Sequence, residues 1–279
     1  MKIKNLLDDT KSTSESIPQV TEVPEEKFEM NVDYIQPWSN MIVRVKIPDK
    51  IFEELLKMYE YTMKDWKSFG SQLVGQINEE PEVTKEIQAK FPDWINFCLQ
   101  GVVNFVNAQT RQNMFAEPEK WEQFCADEVL SRITTMWFVN QKPGEYNPVH
   151  IHTNCKVSSV VYLKTPKKQI RDRKKHYSSD GRITFMNNSG TDFNFANSQA
   201  SFTPVAGDMY LFGALQHHMV WPYRSTDPED LRTSLSFNAD VTLKSSLEIQ
   251  EKERKQFMKQ MKESENDKSA DVSNVNKSG

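Results

Sequence analysis

The second half of the chain contains short β-prone runs of apolar residues, separated by turn residues. Two of these runs are Met136–Val139 and Val157–Leu163, and the segment between them is rich in proline, glycine and asparagine. This alternation predicts strands rather than helices. The first of these runs belongs to a predicted strand at Ile133–Asn140. Further strands are predicted at Asn40–Ile47 and Arg182–Met186, in a run that opens at Gly207-Asp208 and delivers His217 and His218, and in a run that begins at Arg232.

Helical periodicity lies between the first predicted strand and the later ones, and it returns at the C-terminal end. A helix is predicted after Pro48-Asp49, with its apolar residues on one face, and another from Asp93, whose stripe includes Trp94, Val102 and Phe105. Such single stripes predict helices that cover a sheet. The pattern therefore predicts a mainly β fold with flanking helices.

Composition divides the chain into three parts. Residues 1–30 are polar without sustained periodicity and are predicted to be a disordered arm, and residues 31–242 are predicted to form one domain. Residues 243–279 are predicted to form a charged helix, peripheral or partner-docking, followed by a disordered tail from Asn266. The chain contains neither a secretory-signal pattern nor an apolar run long enough to span a bilayer, so we expect a soluble, cytoplasmic protein.

Charge and cysteine content narrow the expected partners. A formal net charge of −4 argues against general nucleic-acid binding. The basic run at residues 167–176 is either a groove for an anionic partner or a solvated face. Cys98, Cys125 and Cys155 are odd in number and suit a reducing compartment; Cys155 is either a soft metal ligand or a free thiol. The sequence does not indicate an oligomeric state.

Four of the five histidines occur in two clusters, and this is the main chemical signal. His150 and His152 are two residues apart, so in a strand their imidazoles project from the same face. His217 and His218 lie far downstream, and if that segment is extended His217 faces away from His218. Convergent imidazoles predict a metal site, because neutral imidazole is the commonest side-chain metal ligand. Alternatively, His150 and His152 are ordinary strand histidines that bond to the backbone.

These motifs, in this order, resemble the 2-oxoglutarate/Fe(II)-dependent oxygenase superfamily over roughly residues 133–241. The sequence Asn147-Pro148-Val149-His150-Ile151-His152 is most similar to phage-type members with an H-x-H motif, which are prolyl-hydroxylase-like. The resemblance implies a double-stranded β-helix (jelly roll) core. It also implies that His150 and His218 are Fe(II) ligands and that Arg232-Thr233-Ser234 is the family's R-x-S motif.

His152 departs from the family pattern, which usually has Asp or Glu at this position. Imidazole in place of a carboxylate raises the charge of the metal site by one unit, which the dianionic 2-oxoglutarate could offset. We favour three histidine ligands, His150, His152 and His218, because the H-x-H pair is already directed at one point. A role for His152 outside the ligand set, or an inactive site, stays open.

Arg232, Ser234 and Tyr162 are the candidate cosubstrate residues. A guanidinium pairs bidentately with a carboxylate such as the distal one of 2-oxoglutarate. Ser234 faces the same side of its strand and can add a hydroxyl, and the resemblance implies a similar contact from Tyr162. Taken without this context, Arg232 would be read as a solvated surface charge and Tyr162 as core packing.

The resemblance implies a dioxygenase that uses Fe(II) and 2-oxoglutarate, hydroxylates a peptidyl, prolyl or small-molecule C–H bond and releases succinate and CO₂. The expected partner is a protein or small-molecule substrate, and the location is the host cytoplasm if a phage encodes the chain. Two rival hypotheses are a three-histidine dioxygenase that does not use 2-oxoglutarate and a non-catalytic, virion-associated or binding jelly roll. The loop after Met186 is a candidate substrate rim, with Asn188, Phe193 and Phe195.

Overall fold

The computed structural model describes residues 40–114, 117–170, 179–187 and 198–275, with side chains to residue 261. The predicted N-terminal arm, most of the basic run and the rim candidates Asn188, Phe193 and Phe195 lie outside the described residues. The described strands are β1 (Ile42–Lys46), β2 (Val129–Gln141), β3 (Asn147–His150), β4 (Val157–Lys164), β5 (Ile183–Met186), β6 (Gln199–Phe202), β7 (Asp208–Gly213), β8 (His218–Val220) and β9 (Arg232–Leu243).

The described strands form two antiparallel sheets. The larger sheet has the order β1-β7-β4-β9-β2, and the smaller sheet has the order β3-β8-β5-β6. Most neighbours in both sheets come from distant parts of the sequence, as β3 and β8 do, because the chain repeatedly passes from one sheet to the other. This arrangement confirms the predicted mainly β jelly roll with flanking helices.

The described α-helices are α1 (Asp49–Thr62), α2 (Lys85–Gln88), α3 (Pro92–Asn113), α4 (Pro118–Cys125) and α5 (Lys244–Val275). Of these, α1 and α3 cover one face of the larger sheet. The apolar stripes of α1 and α3 pack on alternate residues of β9, such as Leu235 and Phe237, in the main hydrophobic cluster. The intervening β9 residues face the smaller sheet, where Tyr162 and Phe212 belong to a second cluster. The two faces of β9 therefore separate the structural core from a polar interior.

Substitution of Phe237 tests the packing of the main hydrophobic cluster. Its side chain is 0% exposed, so Phe237→Ala should lower the free energy of unfolding by about 3–5 kcal/mol, through lost burial and the cavity that remains. Urea denaturation monitored by circular dichroism measures this change. Phe257→Ala is the matched control, because Phe257 is 61% exposed on α5 and should change stability by less than about 0.5 kcal/mol. Equal effects of the two substitutions would contradict the described packing.

The segment that delivers the distal histidine differs from the prediction. One run with a strand through Leu211 and Phe212 was predicted to deliver His217 and His218, but β7 ends at Gly213 and β8 begins at His218 in the other sheet. The backbone N–H of Gln216 donates to Gly213, and the Gln216 side chain donates to the carbonyl of Met186. These contacts stabilise a turn between β7 and β8. The apolar sequence of this segment did not predict that turn.

The C-terminal helix also differs in length from the prediction. Composition predicted helix to Glu263 and disorder from Asn266, whereas α5 continues to Val275. Residues 244–275 contain neither proline nor glycine, so the sequence lacks the residues that usually end a helix. Within the described part of the chain, no helix is both long and apolar enough to cross a bilayer.

Candidate metal centre and its cavity

Antiparallel pairing of β3 and β8 brings the two histidine clusters together. His150 and His218 are partners in the register of these strands, although they are far apart in sequence. His152 follows the end of β3, and its backbone N–H donates to the carbonyl of Ala214 at 2.9 Å. The turn after β7 therefore fixes His152 beside the β3–β8 pair.

The three imidazoles converge. One ring nitrogen from each of His150, His152 and His218 lies within 4.8 Å of the other two. The Nε2 atoms of His152 and His218 are 3.3 Å apart, and the ring centroids of His150 and His218 are 4.2 Å apart. Three nitrogens at such separations can bind one transition-metal ion and leave its remaining positions open. Neither His217 nor Cys155 belongs to this cluster of described residues.

Backbone contacts and burial prepare these rings for metal binding. Nδ1 of His150 is 2.7 Å from the carbonyl of Pro148, and Nδ1 of His218 is 2.9 Å from the carbonyl of Gln216. Each Nδ1–H can donate to its carbonyl, which leaves the Nε2 lone pair for a metal. Burial is the main cause that lowers the pKa of His218 to about 3 and that of His152 to about 4. The rings are therefore neutral at pH 7, as metal ligands must be.

The imidazoles line a cavity of about 570 Å³ between the two sheets. Alternate residues of β9 form one wall, and these are Arg232, Ser234, Ser236 and Asn238. The wall is polar although the strand is central in its sheet. Two buried atoms of this wall, Nε of Arg232 and Oδ1 of Asn238, have no hydrogen-bond partner. Buried polar atoms usually have one, so these two indicate space for a ligand.

Arg232, Tyr162 and Ser234 line this same cavity, as the resemblance implied. Arg232 is 3% exposed; its Nη1 donates to the carbonyl of Gly181 at 2.7 Å, and its Nε has no acceptor. Tyr162 is 1% exposed, its hydroxyl has no partner, and its Cα is paired in register with that of Ser234. The guanidinium lies 6.0 Å from the centroid of the Tyr162 ring. The alternative of a solvated surface arginine is excluded by this burial.

The charge of Arg232 is uncompensated. Among the described residues, none with a carboxylate forms an ion pair with it, and burial lowers its pKa from the ordinary arginine value. An unpaired buried cation is costly, whereas a bidentate carboxylate would satisfy the guanidinium. The donors present, a guanidinium and two hydroxyls, fit the distal carboxylate of 2-oxoglutarate.

Glu80 is a cavity residue that the sequence analysis did not identify. It is 2% exposed, lines the cavity, and lies on the irregular segment between α1 and α2. Burial, with a smaller contribution from Glu145, raises the pKa of Glu80 to about 7. In the sequence, a glutamate within Asn78-Glu79-Glu80-Pro81 indicates only a solvated loop.

Replacement of Glu80 should alter stability in a pH-dependent way. The pKa of this carboxyl group is higher in the folded protein than its ordinary value of 4.5. The contribution of Glu80 to the stability of the folded protein is therefore greatest below pH 4.5, falls as the pH rises to about 7, and is constant above that. Glu80→Gln removes this loss, so the free energy of unfolding of the variant should exceed that of wild type by about 1–2 kcal/mol at pH 8. This figure allows for partial screening by water in the cavity. The gain should fade towards pH 4.5.

Denaturant titrations of both proteins at pH 4.5 and pH 8 measure this difference. Glu79→Gln is the control, since Glu79 is the neighbouring residue, carries the same side chain and is only half-buried. A Glu80→Gln protein that is less stable than wild type at pH 8 would contradict the description of Glu80 as a buried, unpaired acid.

Fold and site together define a jelly-roll domain whose cavity is lined by three histidines that could hold a metal ion. Residues 135–238 match the family model described as "Putative 2OG-Fe(II) oxygenase". The match includes the three clustered histidines and Arg232, and it confirms the resemblance. This segment is therefore similar to a family whose cofactor and cosubstrate are Fe(II) and 2-oxoglutarate, and the three clustered histidines could hold such an ion.

Solved structures with a similar chain course include three oxygenases. A 2OG-Fe(II) oxygenase family protein from Burkholderia pseudomallei is 13% identical over 47% of this chain and 57% of its own, with a TM-score of 0.31. A Pseudomonas putida prolyl-4-hydroxylase is 14% identical over 72% and 93%, with a TM-score of 0.40. The viral collagen prolyl hydroxylase of Paramecium bursaria Chlorella virus-1 is 12% identical over 71% and 94%, with a TM-score of 0.34.

The chain thus spans less than two thirds of the Burkholderia protein. Because every one of these TM-scores is below 0.5, the identification depends on the family match and on the histidine geometry. No curated protein matches the sequence.

Proposed function

We propose that this protein hydroxylates a C–H bond of a peptidyl or small-molecule substrate, with His150, His152 and His218 as Fe(II) ligands. Arg232, Tyr162 and Ser234 would bind the distal carboxylate of 2-oxoglutarate. The observation that supports this proposal most strongly is that three neutral imidazoles share one cavity with a buried, unpaired guanidinium. Separate structural roles for these residues would explain neither the convergence nor the missing carboxylate.

The proposed reaction balances as follows. 2-Oxoglutarate, O₂ and R–H give succinate, CO₂ and R–OH, so one oxygen atom enters succinate and the other enters the product. Bound Fe(II) supplies the activation of dioxygen that this chemistry requires. The protein's own residues orient the cosubstrate through Arg232 and limit the access of water to the buried end of the cavity.

Three histidines in place of two histidines and a carboxylate remain compatible with this assignment. Imidazole suits iron, and a three-imidazole site has one more positive charge than the usual triad. Besides the histidines, the described lining of the cavity contains one basic side chain, Arg232, and one acidic side chain, Glu80. A dianionic cosubstrate would therefore be attracted both by the metal and by Arg232.

The substrate proposal includes a prolyl side chain. The H-x-H motif resembles that of prolyl-hydroxylase-like oxygenases, and this chain has apolar residues at the edge of the cavity. Val74 and Ile151 line the cavity, and both are exposed large hydrophobic residues. An exposed apolar rim suits the docking of a peptide or of an apolar small molecule.

Anaerobic spectroscopy followed by exposure to oxygen tests the proposed function. Fe(II) and 2-oxoglutarate together should give a visible metal-to-ligand charge-transfer band, and oxygen should then yield succinate. His217→Gln should leave both signals intact, because His217 is outside the histidine cluster. No band and no succinate from metal-loaded protein would contradict the proposal, and protein that binds no Fe(II) would indicate the non-catalytic alternative.

A further inference from the structure

Glu80 reaches the cavity from a segment that is anchored to the larger sheet. Isolated backbone bridges join Glu79 to Asn140 and Glu82 to Trp137, on either side of Glu80. Two glycines of the same segment leave space for the carboxyl group, since a Cβ added at Gly70 would lie 3.0 Å from Oε2. At Gly75 an added Cβ would lie 3.6 Å from Oε1. The carboxyl group therefore has a defined position against the backbone.

This carboxyl group lacks a partner within the protein. Among the described residues, none donates a hydrogen bond to its oxygens or forms an ion pair with it. The fully buried Asp208 contrasts with it, because Arg44 approaches that carboxylate at 2.8 Å and Lys46 also contacts it. A buried acid without a partner destabilises the folded protein. The expected explanation is a ligand that supplies the missing donor.

Aromatic rings beside Glu80 narrow the chemistry of that ligand. Phe69 and Trp137 stack with their centroids 5.2 Å apart, and both line the cavity with Glu80. A cavity lined by both a carboxylate and aromatic rings is a favourable environment for an organic cation, which gains from ion pairing and from cation–π attraction. Arg232 supplies the opposite charge to the same cavity, so an anion and a cation would have separate sites in it.

We propose that Glu80 is a specificity-determining residue that binds a positively charged nitrogen, an ammonium or a guanidinium, on the substrate. This inference rests on the proposed function, since it concerns the substrate of the same cavity. The cation belongs to the residue that is hydroxylated or to its neighbour in a peptide. A raised pKa supports the assignment, because a carboxyl that lacks a cation is easily protonated and a bound cation would restore its charge.

Calorimetric titration with matched pairs of neutral and cationic probes tests this inference. The cationic probes are N-acetyl-L-arginine amide and N-acetyl-L-lysine amide, and their neutral counterparts are N-acetyl-L-citrulline amide and N-acetyl-L-norleucine amide. Titrations use the full chain at pH 8, both alone and anaerobically with Fe(II) and 2-oxoglutarate. We expect at least one cationic probe to bind roughly tenfold or more tightly than its neutral partner, as for one charge-assisted hydrogen bond.

Glu80→Gln should abolish this preference, whereas Glu79→Gln should keep it, because Glu79 carries the same charge one residue away. Retention of the preference in Glu80→Gln, its loss in both variants, or equal binding or no binding of all four probes would overturn the inference. The charge-transfer band separates this failure from failure of the proposed function. A band without cation preference contradicts only the role of Glu80, and absence of the band contradicts the oxygenase proposal itself.

Discussion

His218→Ala is expected to lower the affinity for Fe(II) by roughly 100-fold or more and to abolish the release of succinate. Loss of this imidazole removes one of three convergent nitrogens, and even residues that only support metal ligands contribute 10–100-fold to affinity. His218 on β8 is paired in register with His150 on β3. The metal cluster contains no fourth described side chain that could replace it. Metal analysis after dialysis against Fe(II), with the charge-transfer band, measures the loss.

His217→Ala is the control for this experiment, since it removes a histidine from the adjacent position. It should retain one equivalent of Fe(II). If His218→Ala also retained a full equivalent with an unchanged spectrum, His218 would not be a ligand and the proposed site would be wrong.

Arg232→Met is expected to weaken 2-oxoglutarate binding by roughly 100-fold while leaving Fe(II) binding intact. The loss corresponds to about 3 kcal/mol for a charge-assisted, bidentate contact. The same substitution should raise the melting temperature of the protein without cosubstrate, because it removes a buried cation whose Nε has no acceptor. Opposite effects on binding and stability are not expected of a purely structural arginine.

Titration of the charge-transfer band with 2-oxoglutarate, together with thermal unfolding, measures both effects. Arg132→Met is the matched control, because Arg132 is exposed and pairs with Asp240 at 3.2 Å; it should change neither quantity appreciably. Unaltered affinity for 2-oxoglutarate in Arg232→Met would favour a three-histidine dioxygenase that does not use this cosubstrate.

The convergence of the histidines was largely predictable. Spacing by two residues places His150 and His152 on one side of an extended chain, and the order of the motifs indicated that His218 would join them. What the sequence could not provide was the partner strand. The pairing of β3 with β8 depends on the turn after β7, and that turn depends on contacts of Gln216 with a strand thirty residues away.

Burial was the property least predictable from sequence. Arg232 begins a strand, where an arginine is usually solvated, and only the position of β9 between β2 and β4 encloses it. Glu80 was missed altogether, because its segment has no helical or strand periodicity. Its burial depends on isolated bridges to β2, which are tertiary contacts that a local pattern cannot predict.

X-ray absorption spectroscopy of the Fe(II) protein, recorded anaerobically with 2-oxoglutarate, tests most directly whether the three imidazoles bind one ion. We predict scattering from three imidazole rings around iron in wild type, and from two in His152→Ala. Two rings in both proteins would contradict the central claim, because His152 would then lie outside the ligand set.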